Sequence, residues 1–261
     1  MPAFENKVVL VTGGSGGIGS FAVEGFVAQG ATVIVCDIAE ESAVADAATI
    51  LRRGGKAQGL RLDVASEESW RKAIQIVEQN WGRVDVLVNN AGVNDRGTLT
   101  TTQLSGWERT IAVNLTGAFL GMKSVAPIMR AGGGGAIVNI CSMAAHHGEA
   151  FAAYGASKWG LLGLTKIAAM ELLESCIRVN SVSPTVVETD LNAGQPYIEP
   201  MRAMTPMGRN ARGKEIADAI VFLAGETASF ITGQDIVVDG GFTAGAAARH
   251  VRLQAFAATG V

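Results

Sequence analysis

A chain of 261 residues with 48% apolar and 17% charged side chains is too hydrophobic to stay unfolded and too evenly broken by charge for a polytopic membrane protein. At this length about three-quarters of the surface exposed by the unfolded chain is buried on folding, so the core needs no disulfide or metal staple. The net charge of −3, from 21 basic and 24 acidic residues without a basic stripe, argues against a nucleic-acid partner.

Cys36, Cys141 and Cys176 lie in or beside apolar runs with no CxxC among them, the pattern of buried, reduced thiols. The first apolar run is too short and too soon broken for a signal peptide or a membrane span, so the expectation is a soluble cytoplasmic protein with no membrane partner.

Along the chain the apolar period switches repeatedly. Residues 8–11 form a continuous apolar run closed by glycines, which fits a strand buried on both faces. Ile18, Phe21, Ala22, Phe26 and Val27 then recur at helical spacing until Gly30. Residues 32–36 predict a second strand, and Val44, Ala47, Ala48 and Leu51 stripe a helix that ends at Gly54 and Gly55. A strand ending near Val64 follows, then a helix holding Trp70, Ala73, Ile74 and Val77, then a strand over 84–88. Longer helices are predicted over 105–129 and 153–173, each leading into a strand, at 136–141 and 177–182. A loop with Pro184, Pro196, Pro200 and Pro206 precedes a helix near 215–224 and a last strand at 236–238.

Strands separated by helical segments imply right-handed βαβ crossovers and a parallel sheet of about seven strands with helices on both faces. The reading is an α/β fold, a single doubly wound domain over residues 1–241. Residues 242–261 are alanine-rich, with Val251, Leu253 and Phe256 as the only bulky apolar side chains, and form either a frayed tail or an arm packed on another subunit.

Thr12 and the run Gly13-Gly14-Ser15-Gly16-Gly17-Ile18-Gly19 follow the first strand directly and open the first helix. Glycine supplies positive φ and lets backbone approach a ligand, and the exposed amides of a helix start favour a diphosphate. A tight structural turn uses the same residues; the placement between strand and helix is what points to a nucleotide. Asp37 closes the second strand about twenty residues further on, where a carboxylate can accept hydrogen bonds from both ribose hydroxyls. It would repel a 2′-phosphate, and neither Gly16 nor Ile38 supplies a compensating cation, so NAD(H) is preferred over NADP(H). A strand-end or helix-capping aspartate is the alternative.

These residues resemble the short-chain dehydrogenases/reductases, whose glycine motif TGxxxGxG places Gly13, Gly17 and Gly19. The resemblance runs from about Lys7 to Gly241 and includes Asp63-Val64, Asn89-Asn90-Ala91-Gly92, Asn114, Ser142, Tyr154-x-x-x-Lys158, Arg178-Val179-Asn180, Pro184, Thr189 and Asp239-Gly240-Gly241. It implies a Rossmann-type dinucleotide fold and a homotetramer. It also implies a cofactor site of Gly13, Ser15, Gly17, Ile18, Gly19, Asp37, Asp63, Val64, Asn90, Ala91, Gly92, Tyr154, Lys158, Pro184, Val187 and Thr189. Asp63 and Val64 would flank the adenine, Thr189 would bind the nicotinamide carboxamide, and the Asn89–Gly92 turn would either support the cofactor or serve packing alone.

Tyr154 and Lys158 stand four apart on a predicted helix, hence on one face. A free tyrosine titrates near pH ~10, and a neighbouring ammonium favours the phenolate. Ser142, at a strand end twelve residues upstream, could donate a hydrogen bond to a substrate oxygen as charge builds there. The resemblance implies Tyr154 as general acid/base, Lys158 also as a ribose ligand, and Asn114 as the holder of a proton-relay water. A kink forced by packing is the other reason for an asparagine inside a helix. Family members commonly have glycine where this chain has Thr185, whose side chain would narrow the pocket above the nicotinamide. His146 and His147, adjacent in a loop, lack metal-ligand spacing, and no metal is expected.

Substrate specificity should reside in the loop near 185–212. Its Tyr197, Met201, Met204 and Met207, with Phe151 nearby, predict an adaptable apolar pocket, although each methionine could equally pack on the scaffold. Ser142, Ala144, Phe151, Tyr154, Thr185, Tyr197 and Met201 are the expected substrate contacts. The absence of Arg or Lys between Ala193 and Met201 argues against a highly anionic substrate. The leading expectation is oxidation of a hydrophobic secondary alcohol, or reduction of its ketone, with steroid-like, cyclic or aryl compounds all open. A 3-oxoacyl thioester reductase and a catalytically silent nucleotide-binding regulator are the alternatives.

Overall fold

The computed structural model describes residues 3–189 and 194–256. Its strands are β1 (Val8–Thr12), β2 (Thr32–Asp37), β3 (Lys56–Arg61), β4 (Val86–Asn89), β5 (Gly135–Ile140), β6 (Ile177–Pro184), β7 (Val187–Glu188), β8 (Ala211–Arg212) and β9 (Asp235–Val238). Seven of them form one parallel sheet in the order β3-β2-β1-β4-β5-β6-β9, while β7 and β8 pair apart. The helices are α1 (Gly17–Ala28), α2 (Glu40–Arg52), α3 (Glu67–Trp81), α4 (Leu104–Ile111), α5 (Gly117–Ala131), α6 (Ala152–Glu171), α7 (Ile198–Met204), α8 (Gly213–Ala224) and α9 (Phe242–Phe256).

Alternation along the strands builds two cores. Leu10, Ile34, Leu87, Ile137 and Val179 face α3, α5 and α6, where they meet Trp70, Val125, Met129 and Ala169. Val9, Val11, Val33, Val35, Val86 and Val138 face the other way, onto Ala22 and Phe26 of α1 and Ile216 and Ile220 of α8. Two covered faces explain why the strands read as unbroken apolar runs. A buried polar chain crosses the first of these layers. Asn89 donates to the register-paired Asn139 (2.9 Å), Asn139 donates to Thr165 of α6 (2.9 Å), and the Thr165 hydroxyl donates to the Leu161 carbonyl (2.8 Å).

The sequence expectations differ from the structure in several places. Cys36 and Cys141 are buried, but Cys176 is exposed at the left-handed turn that precedes β6. The third strand ends at Arg61, short of Val64, because the Asp63 carboxylate accepts from the Ala65 amide and turns the chain toward α3. The helix expected over 105–129 is two helices joined by a π turn, Ala112–Thr116, with Asn114 buried in it. The Leu104–Ala131 stretch is long and apolar enough to cross a membrane by length and composition, but half of its apolar window is buried, with Leu120, Val125 and Met129 in the core. The proline-bearing loop contains α7 and the β7–β8 pair; residues 190–193 lie outside the described part. In the 242–261 segment α9 forms a helix kinked at Gly245 (φ 154°), with Val251, Leu253 and Phe256 exposed; residues 257–261 lie outside the described part.

Candidate active site

The sheet order reverses direction of growth at β1 and β4, and a crevice opens beyond the carboxyl ends of these strands. A cleft of about 450 Å³ occupies it. Its floor is the glycine turn: Gly13 (φ 59°) and Gly17 (φ 50°) are left-handed, and α1 begins with neither a side-chain cap nor an acidic residue in its first turn. Its first amides therefore remain available to an anion. Gly19 lies beneath the turn, not in the cleft, where a Cβ would come 2.1 Å from the Gly13 carbonyl oxygen.

Asn90 holds that turn in place. Its Nδ2 donates to the carbonyls of Thr12 (3.0 Å) and Gly13 (2.9 Å), and the Thr12 hydroxyl accepts from the amides of Asn90 (3.0 Å) and Ala91 (3.1 Å). Both open readings of the Asn89–Gly92 turn thus meet in one residue, since Asn90, Ala91 and Gly92 also line the cleft.

The turn fits a diphosphate: two left-handed glycines carry no Cβ into the space, and the Ser15 hydroxyl beside them is buried without a partner. At one end of the cleft lining, Asp37 accepts from the amides of Ser15 (3.3 Å) and Ala39 (3.1 Å). Ile18, Pro184, Val187 and Thr189 complete the expected residues in the lining, whereas Ser15, Asp63 and Val64 stand outside it. Asp63 is engaged in its turn, and Val64 is buried with its carbonyl accepting from the Trp70 indole.

Ser142, Tyr154 and Lys158 converge on the same cleft from the end of β5 and the first two turns of α6. Lys158 is 5% exposed, and its Nζ donates to the Ile140 carbonyl (2.8 Å) and lies 5.6 Å from the Tyr154 ring centroid. Burial pushes the Tyr154 phenol above its ordinary pKa, against the hydrogen bond from Ser142, which lowers it. Burial likewise depresses the Lys158 ammonium. In the chain by itself desolvation thus sets the direction of the Tyr154 shift, and the Lys158 ammonium is turned toward a backbone carbonyl.

Asn114 clamps the cleft wall. Its Oδ1 accepts from the Val93 amide (2.8 Å), and its Nδ2 donates to the Val93 carbonyl (2.9 Å) and to Ser157 (3.0 Å). A Cβ on Gly92 would sit 3.4 Å from Asn114 Oδ1 and 3.8 Å from Lys158 Nζ, which places Gly92 beside both side chains.

A second cavity of about 300 Å³ shares Ser142, Tyr154, Pro184 and Thr185 with the cleft. Phe151, Tyr197 and Met201 line it as expected; Ala144 does not, because its amide is turned onto Ser142 and Met143 takes the wall position. Asn94, Arg96, Glu149 and Val186 also line it and carried no sequence signal. Thr185 adopts no left-handed backbone, so it replaces glycine without strain there, and its buried hydroxyl has no hydrogen-bond partner among the described residues.

A family model described as enoyl-(acyl carrier protein) reductase matches residues 13–243. The chain belongs to the short-chain dehydrogenase/reductase family. Within that family, trans-4-hydroxycyclohexanecarboxylate dehydrogenase of Sinomonas cyclohexanicum is 42% identical over 92% of this chain and 93% of its own. The 3-alpha-(or 20-beta)-hydroxysteroid dehydrogenase of Mycobacterium tuberculosis is 39% identical over 92% and 91%, and cyclohexanol dehydrogenase of an Acinetobacter species 38% over 92% and 96%. The crystal structure of gox2181, 34% identical, superposes with a TM-score of 0.89 over 92% of this chain and 97% of that one. Like these relatives the chain is an oxidoreductase, and short-chain dehydrogenases/reductases of this kind use nicotinamide cofactors.

Proposed function

We propose that the chain interconverts a hydrophobic cyclic secondary alcohol and its ketone, with NAD(H) preferred over NADP(H). The observation that carries this reading is the placement of Ser142 and Tyr154 on the wall shared by the two cavities, one fit for a dinucleotide and one for a small substrate. A nicotinamide dinucleotide, when bound, supplies the hydride acceptor for the alcohol or the donor for the ketone.

Gly13, Gly17 and Ile18 would hold its diphosphate, Asp37 a ribose, and Pro184, Val187 and Thr189 its nicotinamide end. Family resemblance adds Ser15, Asp63 and Val64. Asp37 favours NAD(H) through its carboxylate, with exposed Ile38 beside it; Arg61, its register partner on β3, makes no ion pair with it.

During reduction the Tyr154 hydroxyl gives its proton to the substrate oxygen, and during oxidation it takes that proton back. Ser142 donates a hydrogen bond to the same oxygen and stabilises its developing charge. Lys158 stabilises the phenolate left behind, and Asn114 borders the route by which Tyr154 is reprotonated. Both amide protons of Asn114 are engaged, so a relay water would contact its oxygen atoms.

The relatives named for cyclohexanol, a hydroxycyclohexanecarboxylate and hydroxysteroids support a ring-bearing substrate. The 300 Å³ cavity lies at the small end of ligand pockets and favours one ring over a steroid. Self-association is supported by exposed Trp159, Ile167 and Met170 along α6 and Phe119 on α5; a homotetramer in the cytoplasm is the proposed state.

Initial rates with NAD and NADP against cyclohexanols, and with NADH and NADPH against a 3-oxoacyl thioester, test this reading. Turnover of a cyclohexanol with NAD supports it. Turnover confined to NADPH and the thioester would replace it with the acyl-reductase alternative, and none at all would leave the silent nucleotide-binding protein.

A further inference from the structure

Arg96 is the one cation among the described residues that line the 300 Å³ cavity. It comes from the segment between β4 and α4, outside the 185–212 loop. Its guanidinium carbon lies 5.2 Å from the Tyr197 ring centroid, and among the described residues it has no carboxylate within ion-pair distance. A guanidinium held over a ring by cation–π attraction still carries five N–H donors, whose fork can receive a carboxylate through two parallel hydrogen bonds.

The nearby acids are engaged elsewhere. Asp95 accepts from the Gly97 amide (3.1 Å) and is turned toward Gly106, where a Cβ would come 2.0 Å from its Oδ2. Glu149, which also lines the cavity, accepts from the amides of Ala150 (2.7 Å) and Phe151 (3.4 Å) at the start of α6. The remaining walls include Met143, Phe151, Val186 and Met201, which suit a hydrocarbon ring.

We propose that Arg96 determines specificity in this cavity, and that the cyclic alcohol or ketone carries one carboxylate, held by the Arg96 guanidinium while its carbinol or carbonyl carbon meets Ser142 and Tyr154. The proposal rests on the reading of this cavity as the substrate site. It refines the expectation against a highly anionic substrate: one carboxylate is held by one guanidinium, while Glu149 on the same wall is turned onto the amides that start α6.

The test pairs 4-oxocyclohexanecarboxylate with 4-methylcyclohexanone, both reduced with NADH, on the wild type, Arg96→Gln and Arg96→Lys. The wild type is expected to prefer the acid by about tenfold or more in kcat/KM, Arg96→Gln to bring that ratio near one, and Arg96→Lys to restore part of it. A wild-type ratio near one, or the same ratio in Arg96→Gln, overturns the proposal. Titration calorimetry with cyclohexanecarboxylate and cyclohexanecarboxamide reads the same contact without turnover. If neither ketone is reduced, the dehydrogenase reading falls. Carboxylate binding that disappears in Arg96→Gln would still establish the anion contact, whereas no binding, or equal binding, would remove it. Arg96 is exposed, so matching melting temperatures for the three proteins are expected and exclude a folding defect as the cause.

Discussion

Replacing Asn90 with alanine removes two hydrogen bonds, to the Thr12 carbonyl at 3.0 Å and the Gly13 carbonyl at 2.9 Å, without adding bulk. Each such bond contributes about 0.5–1.5 kcal/mol net, so the loss totals roughly 1–3 kcal/mol. Both bonds converge on the glycine turn, and the cost divides between folding and the preorganisation of that turn. If all of it fell on binding, at about 1.4 kcal/mol per tenfold, the dissociation constant for NADH would rise roughly 5- to 150-fold. Urea unfolding measures the first share and calorimetric titration with NADH the second. The expectation is a lower unfolding free energy together with weaker NADH binding, the two shares together amounting to about 1–3 kcal/mol. Unchanged binding alongside lost stability would make the Asn89–Gly92 turn a packing device only. If neither quantity changes, the inference that these bonds hold the loop is wrong.

Tyr154→Phe removes only the phenolic hydroxyl; turnover should vanish while NADH affinity stays within a few-fold, and retention of more than about a tenth of the rate would exclude Tyr154 as acid/base. Burial holds that phenol protonated at neutral pH, so ketone reduction should run at neutrality and decline as pH climbs through its titration, while alcohol oxidation rises over the same range. Lys158→Met should move both limbs to higher pH, and an oxidation profile that is flat with pH would contradict this. Asp37→Ala combined with Ile38→Arg should shift the ratio of kcat/KM values toward NADP, since a repelling carboxylate is replaced by a guanidinium; an unchanged ratio would exclude Asp37 as the discriminator. Thr185→Val replaces a buried, unpartnered hydroxyl with a methyl and should raise the unfolding free energy by about 1 kcal/mol; a loss in urea unfolding would reveal a partner for that hydroxyl.

The sheet and the glycine turn were legible because they depend on local pattern: apolar runs for strands buried on two faces, and glycines between a strand and a helix. The four-residue spacing of Tyr154 and Lys158 on α6 was legible for the same reason. Tertiary contacts were not. The bonds from Asn90 to Thr12 and Gly13 span more than seventy residues, so the sequence offered packing and cofactor support as equal readings. The π turn at Asn114 looked like an ordinary helix with a poor helix former inside it, although that misfit residue was the signal of the irregularity. Arg96 gave no signal, because a charged residue in an exposed loop is usually solvated, and only folding brings it over Tyr197. Likewise, the elevated phenol of Tyr154 depends on burial, which the four-residue spacing does not encode.

The asparagine–asparagine–threonine chain beneath the site sets how finely its chemistry can be aligned. Ser142 follows a sheet strand and Tyr154 rides on α6, so their separation is fixed only as well as the helix is seated on the sheet. Hydrocarbon contacts tolerate sliding; directional bonds do not. A shift of α6 by one turn would break the Asn139–Thr165 bond, the link of the chain that crosses from sheet to helix, and leave the Asn139 amide short of a partner in a dry interior, at about 1–3 kcal/mol. The protein thereby holds its proton donor and its oxygen-binding hydroxyl in alignment with a latch placed three helical turns away, where no reactant ever touches it.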